Sequence, residues 1–417
     1  MSDSSVSAIR LPGLRDQWRS EPLARRALLA VLRRTRVGSL TVHEGDETLH
    51  FGNADAIGEP HAVINVHDPA VYRRILTGGA VGSGESYMLG HWSSPELVDV
   101  IRLFCANMTV LQSMDSGKSL WSKLVARISH ALNSNTLRGS RRNISAHYDR
   151  GNDFFSLFLD PTMMYSSAVF PSPTATLEES SVYKLDLICQ QLELSPDDHL
   201  VEIGTGWGGM AVHAAQRYGC RVTTTTLSQE QYEYTLQRVA AAGLSDRIEV
   251  LCRDYRDLEG TYDKLVSIEM IEAVGFEFYQ NYFSKCAALL KPDGLMVIQA
   301  ITMADQRYEQ AKHSVDFIKR YIFPGGCLPS LEVIGHHVAR DTDMQITHLR
   351  DITGDYADTL AEWRRRFQAA LPQVRAQGFD ELFERMWEFY LCYCEGGFRE
   401  RVISTVQLTF AKPGYRF

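Results

Sequence analysis

The sequence predicts an α/β protein in two parts: a doubly wound, mostly parallel sheet carrying a helical insertion, preceded by a smaller α/β domain. Three observations carry this. Between residues 197 and 301 short apolar runs alternate with helical patterns, the order that builds a parallel sheet with helical crossovers. One of these runs, in DDHLVEIGTGWGGMAVHAA (residues 197–215), ends in glycines at alternate positions, and a helical period starts at once. The chain has 417 residues, more than one ordinary domain needs.

Composition sets outer limits. Hydrophobic residues make up 45% and charged residues 23% of the chain, as in globular proteins with a full core. The formal net charge of −8 argues against a general nucleic-acid binder. The first twenty residues hold no apolar core of the signal-peptide type, and no stretch reaches the roughly 18 apolar residues of a membrane span. The eight cysteines are scattered, with Cys392 and Cys394 as the only close pair. Reduced thiols, no structural metal and a cytoplasmic location are therefore expected.

The first part runs over residues 1–114. SLTVHEGDETLHFG and HAVINVHD read as short strands around polar turns. AVYRRILTGG and SPELVDVIRLFCANM read as helices, the second starting near Ser94 or Pro95. A linker over 115–144 follows. From Ser116 to Tyr148 there is no acid, but there are six basic residues: Lys118, Lys123, Arg127, Arg138, Arg141 and Arg142. Trp121, Leu124, Val125, Ile128 and Leu132 share one helical face. This stretch is either a linker helix with a solvated basic face or a surface that meets anionic phospholipid.

The remainder, 145–417, holds the doubly wound sheet. Strands are expected at Leu200–Ile203, Arg221–Thr226, Ile248–Leu251, Lys264–Ile268 and Leu295–Ile301, with helices starting near Trp207, Ser228 and Glu277. Ser228 and Gln231 have the spacing of a capping box. After Thr302 a long, mostly helical stretch interrupts the alternation, and VISTVQLTFAKP can return to the sheet edge.

Gly204, Thr205, Gly206 and Gly208 form a strand–turn–helix loop for a phosphate or nucleoside, which suits NAD, FAD or S-adenosylmethionine (SAM). The dinucleotide pattern wants an acid at the end of the second strand; here TTTTLSQEQ offers Thr226, Leu227, Ser228 and Gln231, whose polar groups can hold a ribose diol. The third strand ends in CRDYRDL, placing Asp254 and Tyr255 over the same cleft, an acceptor and an aromatic that suit an adenosyl group.

Seven stretches, in order, then resemble the cyclopropane-fatty-acyl-phospholipid synthases and their mycolic-acid relatives: HYDRGNDFFSLFLDPTMMYSSAVF, VEIGTGWGG, TLSQEQ, SIEMIEAVG, FIKRYIFPGGCLPS, DYADTLAEW and RMWEFYLCYCEGGFRER. GGAVGSGESYMLGHWSSPEL also looks like the family's N-terminal domain. The resemblance implies a Rossmann-like SAM-dependent methyltransferase domain acting on a cis double bond of a phospholipid acyl chain. It implies SAM contacts at Tyr165, Ser166, Gly204, Gly206, Thr226, Leu227, Gln231, Asp254 and Tyr255. It further implies a bicarbonate ion as base, held by a cysteine, a glutamate, a histidine, a tyrosine and a backbone N–H. By position the glutamate is Glu272, the tyrosine Tyr356 and the backbone group that of Ile301. The cysteine is replaced by Ser167 and the histidine by Gln299; Cys394 matches a late family cysteine and reads equally as a core residue.

An alkene is a weak nucleophile, so the site must hold it against the methyl donor in a dry pocket, offer aromatic faces to the resulting cation, and supply a base. Ser167 and Gln299 keep hydrogen-bond donors, but Gln299 cannot carry charge. Either an anion is still bound, or Glu272 is itself the base, with Glu269 as a further acid nearby. Cyclopropane is the leading expected product; a methyl-branched or methylated-olefin chain, a small methylated amine, or a non-enzymatic lipid binder are the alternatives. Expected partners are an unsaturated phospholipid acyl chain at an anionic surface on the inner face of the membrane, and a homodimer is compatible with them.

Overall fold

A computed structural model describes residues 14–108 and 151–416. The linker reading at 115–144 lies outside these residues. The chain divides into two compact units, Met1–Lys118 and Ser119–Phe417.

In the first unit, strands β1 (Ser39–Glu44), β2 (Glu47–Gly52), β3 (His61–Val66) and β4 (Trp92–Ser93) form a sheet in the order β2-β1-β3-β4. The β1–β2 hairpin turns at Gly45, which takes φ +57°. Helices α1 (Leu14–Leu32), α2 (Ala70–Met88) and α3 (Leu97–Ala106) accompany the sheet. The helix expected to stop at the double glycine continues to Met88, with a non-helical kink at Gly79. The bend brings Gly82 against the Arg74 carbonyl, where an added Cβ would lie 2.0 Å from the oxygen; only a glycine allows that approach.

The second unit is built on a seven-stranded sheet. Its strands are β5 (His199–Ile203), β6 (Arg221–Thr226), β7 (Ile248–Cys252), β8 (Tyr262–Ile268), β9 (Leu290–Met303), β10 (Gln345–Asp351) and β11 (Ile403–Ala411). The order is β10-β11-β9-β8-β5-β6-β7. From β7 to β9 all pairs are parallel, and β11 and β10 add antiparallel. Alternate residues serve opposite faces. Val201, Ile203, Leu265, Met296 and Ile298 join one core with Tyr279, Tyr282 and Phe283. Leu200, Val222, Val266 and Val297 join the other with Ile188, Leu192 and Met210. Burial on both faces is what makes these strands read as apolar runs.

All five expected parallel strands are present. The returning C-terminal run, β11, is not the edge strand: it lies between β9 and β10, and β10 takes the edge. The sequence hides β10 because nearly all its residues are exposed, so no apolar pattern marks it. Helices α4 (Asn152–Ser156), α5 (Leu177–Gln191), α6 (Gly209–Tyr218), α7 (Gln229–Ala241) and α8 (Tyr279–Leu289) precede the insertion. The insertion holds α9 (Asp305–Ala311), α10 (Phe317–Tyr321) and α11 (Leu331–Asp341) before β10. Helices α12 (Thr353–Ala369), α13 (Leu371–Ala376) and α14 (Glu381–Arg399) follow it.

Candidate active site

The chain runs from β5 outward to β6 and β7, then returns to β8 on the other side of β5. Ligands of open α/β sheets bind where the order reverses, beyond the carboxyl ends of the strands. The loop after β5 is the glycine turn, and the loop after β8 carries Glu269 and Glu272.

Gly204, Gly206 and Gly208 take φ of +101°, +53° and +78°. A Cβ built at Gly208 would lie 2.8 Å from Thr235 Cγ2, and one at Gly209 2.7 Å from the Thr162 carbonyl oxygen; at Gly206 it meets none of the described residues within 4 Å. Gly206 is therefore bare backbone facing open space, a cradle for a closely approaching ligand. Beneath the turn, the Thr205 and Thr224 hydroxyls lie 2.5 Å apart, and Thr224 donates to Glu202 Oε2 at 2.6 Å. Burial pushes the Glu202 carboxyl up to about 8, against the pull of Thr224 and Lys184.

After β6, the Thr226 hydroxyl donates to Gln231 Oε1 at 2.9 Å and accepts from the Ser228 N–H at 3.1 Å. The Ser228 hydroxyl caps α7 by accepting from the Gln231 N–H at 3.3 Å. The expected capping box is thus half formed, because Thr226 engages the Gln231 carboxamide. Leu227, between them, is partly buried. Asp254 is gripped by the Arg256 guanidinium at 2.8 and 2.7 Å and by its N–H at 2.9 Å. An adenosyl amino group would share this carboxylate with Arg256. Tyr255 packs edge-on against Tyr282, ring centroids 5.7 Å apart.

A second wall comes from residues 165–170, drawn in by hydrogen bonds and ring contacts from several elements. Ser166 Oγ accepts from the buried Lys184 ammonium at 2.7 Å. The Ser167 N–H donates to Glu269, its carbonyl accepts from Gln299, the Ala168 N–H donates to Thr359 and the Phe170 N–H to Asp355. Tyr165 stacks on Trp363, centroids 5.2 Å apart, and its hydroxyl lies 2.8 Å from that of Tyr390.

Three donors converge on Glu269. Its Oε1 accepts from the Ser167 N–H at 2.9 Å and Gln299 Nε2 at 2.8 Å, and its Oε2 from the Tyr356 hydroxyl at 2.7 Å. Burial lifts its carboxyl above the ordinary range, and Gln299, Ser167, Tyr356 and the Lys184 charge oppose that lift. Glu272 accepts from the Ile301 N–H at 2.5 Å through Oε1, while its buried Oε2 has no partner among the described residues. Burial, reinforced by the Glu269 charge, raises Glu272 to about 8. Two buried carboxyls side by side do not both ionise near neutrality. Glu269 has the three donors that favour the charged form, while Glu272, raised to about 8, favours the proton. Burial, then the Glu269 charge, keeps Tyr356 a phenol, able to donate.

Several expected residues thus come together, though not as expected. Tyr356 and Gln299 meet on Glu269, while Ile301 serves Glu272. The Ser167 hydroxyl is spent on the Ala168 carbonyl at 2.8 Å, so it is the backbone of Ser167 that donates. Cys394, partly buried on α14, has its thiol held protonated by burial, which removes a thiolate role at neutral pH. Glu202 and Lys184 were missed, although a charge inside each of two apolar stretches, VEIG and YKLDLI, was visible. Among the described residues no group of three or more His, Cys, Asp or Glu could hold a metal ion.

The residues fit SAM, with the bare Gly206 turn below and Thr226, Gln231 and Asp254 along the rim. They do not fit the bicarbonate implied by the resemblance. The Ser167 N–H, Gln299 and Tyr356 are already bonded to Glu269 and the Ile301 N–H to Glu272, and a further anion would meet those carboxyls and compete for the same donors.

Comparison with known proteins agrees. Residues 135–408 match the family model of mycolic acid cyclopropane synthetase. The chain is 40% identical over 383 residues to the tuberculostearic acid methyltransferase UfaA1 of Mycobacterium tuberculosis, covering 87% of this chain and 86% of that one. It is 36% identical over 358 residues to the cyclopropane-fatty-acyl-phospholipid synthase of Escherichia coli, covering 85% and 89%. The mycolic acid cyclopropane synthase CmaA1, solved with S-adenosylhomocysteine and CTAB, superposes with a TM-score of 0.61 at 33% identity, over 65% of this chain and 98% of that one. From the switch-point cleft, the bare glycine turn and these likenesses, the chain belongs to the mycolic acid cyclopropane synthetase family and is a SAM-dependent methyltransferase.

Proposed function

We propose that the protein methylates the cis double bond of an unsaturated phospholipid acyl chain, and that Glu269 removes the proton that completes the reaction, giving a methylated olefin. The observation that carries this is the buried Glu269 carboxylate with three donors converging on it. SAM, when bound, would supply an electrophilic methyl group, its sulfur–methyl bond breaking with the electron pair kept by sulfur so that S-adenosylhomocysteine leaves. The alkene's π pair forms the new carbon–carbon bond, and the adjacent carbon is left cationic. Tyr165, Trp363 and Tyr390 form a contiguous aromatic group beside the loop that bears Glu269's donor, and aromatic faces stabilise such a cation. Loss of one proton to Glu269 leaves a net gain of one carbon and two hydrogens. The three hydrogen bonds offset part of the lift that burial gives the Glu269 carboxyl. A hydride shift before the proton leaves moves the cation to the methyl-bearing carbon, and loss of a proton beside it gives an olefin in place of a ring. The relative named as a tuberculostearic acid methyltransferase supports an acyl acceptor, and the E. coli relative's name supports a phospholipid.

Glu269→Gln keeps the shape and removes the base. Turnover with dioleoyl phosphatidylglycerol vesicles is expected to fall roughly a hundred- to ten-thousand-fold, with SAM affinity by calorimetry near that of the wild type. Wild-type turnover in this variant would refute the role of Glu269. Proton NMR of the wild-type lipid product decides the outcome of the cation: olefinic signals support the proposal, and upfield ring-proton signals instead assign cyclopropane formation.

A further inference from the structure

Behind Glu269, on the side of Gln299 away from the carboxylate, a row of three amides runs across two strands to the end of α5, the last of them partly buried. Gln299 on β9 donates through Nε2 to Glu269 Oε1 at 2.8 Å and to the Ser167 carbonyl at 3.1 Å. Its Oε1 accepts from Gln407 Nε2 at 3.0 Å. Gln407 lies opposite Gln299 in the β9–β11 register. Its own Oε1 accepts from Gln191 Nε2, at the end of α5, at 3.0 Å. Gln299 and Gln407 are wholly buried. Every amide in the row has its NH2 end toward Glu269 and its oxygen end away from it.

An amide side chain has two nearly isosteric orientations of opposite polarity. Turned the other way, Gln299 would set a carbonyl oxygen against a buried carboxylate. Gln407 prevents this by donating to the one oxygen Gln299 has, so the donor end is left for Glu269. Aligned amides also polarise one another and strengthen the last bond of the row. We propose that Gln407 is a positioning residue for this reaction: it never reaches the cleft, but it fixes the Gln299 amide and thereby the base strength of Glu269. The inference rests on the reading of Glu269 as the base.

Gln407→Leu and Gln407→Met both remove the donor, the second with the closer match in shape, and neither adds a titrating group. The titratable groups facing Glu269 are Glu272 on its own loop, Lys184 from α5 and Tyr356 from α12, and neither variant alters them. A hydrogen bond to a charged group contributes enough to move a pKa by about one unit. The acid limb of kcat/KM for methyl transfer to dioleoyl phosphatidylglycerol vesicles should therefore rise by up to about one pH unit in Gln407→Leu and in Gln407→Met. SAM affinity by calorimetry should not change in either. In a Gln299→Leu background, adding Gln407→Met should move the limb no further, since Gln407 acts only through Gln299. A purely structural Gln407 would lower Tm and rate at every pH and leave the limb in place, which would overturn the inference. If Gln407→Leu does not fold, Gln407→Met decides alone. Glu269→Gln separates the two claims: if it is active, the base reading and this inference both fall; if it is inactive while the limb stays fixed in the Gln407 variants, this inference alone falls.

Discussion

Glu269 holds φ at +49°, a backbone region that non-glycine residues avoid at a cost of order 1 kcal/mol or more. Its three hydrogen bonds pin it there, and the strain sits at the cleft. The motif SIEMIEAVG showed two acids but not which one the donors would choose. That choice depends on β8 ending one residue earlier, at Ile268, and on a left-handed turn that no spacing rule reports. Gln299 was legible through the family resemblance, as the residue standing where the family has a histidine on this strand. The backbone role of Ser167 was not, since a hydroxyl suggests a side-chain donor. Gly206 was legible from the glycine spacing alone, and its environment sharpens the expectation. A valine there must adopt a left-handed backbone and project into the open space. Gly206→Val is expected to abolish SAM binding by calorimetry while circular dichroism stays that of a folded protein; unchanged affinity in a folded variant would remove Gly206 from the cofactor site.

At the scale of elements, the parallel strands were readable because both faces are buried, whereas β10 was not because it is exposed at the edge. Helix starts were readable only in part. Ser228 caps α7, yet its box partner Gln231 turns to Thr226. The complete box belongs to α5, where Thr176 accepts from the Glu179 N–H at 3.2 Å and Glu179 Oε2 accepts from the Thr176 N–H at 2.8 Å. The signal TLEE was present but lay outside the stretch where cofactor motifs drew the reading. Because α5 delivers both Lys184 and Gln191 to the site, its first turn fixes more than one helix end. Thr176→Ala should lower unfolding free energy by about 1 kcal/mol, measured by urea titration, with SAM affinity unchanged. No loss of stability would mean that solvent replaces the cap.

The whole molecule combines an acidic net charge with a basic segment over 116–148. Among the described residues no helix is long and apolar enough to cross a membrane. If the basic segment meets anionic lipid, reversing Lys123, Arg127 and Arg142 to glutamate removes up to about 1 kcal/mol per site. Co-sedimentation with anionic vesicles should drop strongly and with neutral vesicles little; equal effects on both would assign the segment to a linker.

Stability of the whole chain should also carry the imprint of its buried acids. Glu202 and Glu272 are each raised to about 8 by burial, against ordinary carboxyl values near 4.5. Between those values the folded chain binds protons that the unfolded chain has released. Stability from these groups is thus full below about 4.5 and is lost as pH rises toward about 8. His91, His199 and His213 lie below their ordinary value, again through burial; their contribution is present above about 6.5 and lost as pH falls. Lys184, lowered to about 8 by burial, adds stability with rising pH only beyond that point. The window from about pH 6.5 to 8 therefore isolates the carboxyls. Tm should fall across it, and Glu202→Gln, which keeps an acceptor for Thr224 without a titrating proton, should make the fall shallower. Thermal melts at half-unit pH steps decide this: an equal slope in wild type and Glu202→Gln would mean that Glu202 is ionised in the folded chain, with Lys184 as its counter-charge.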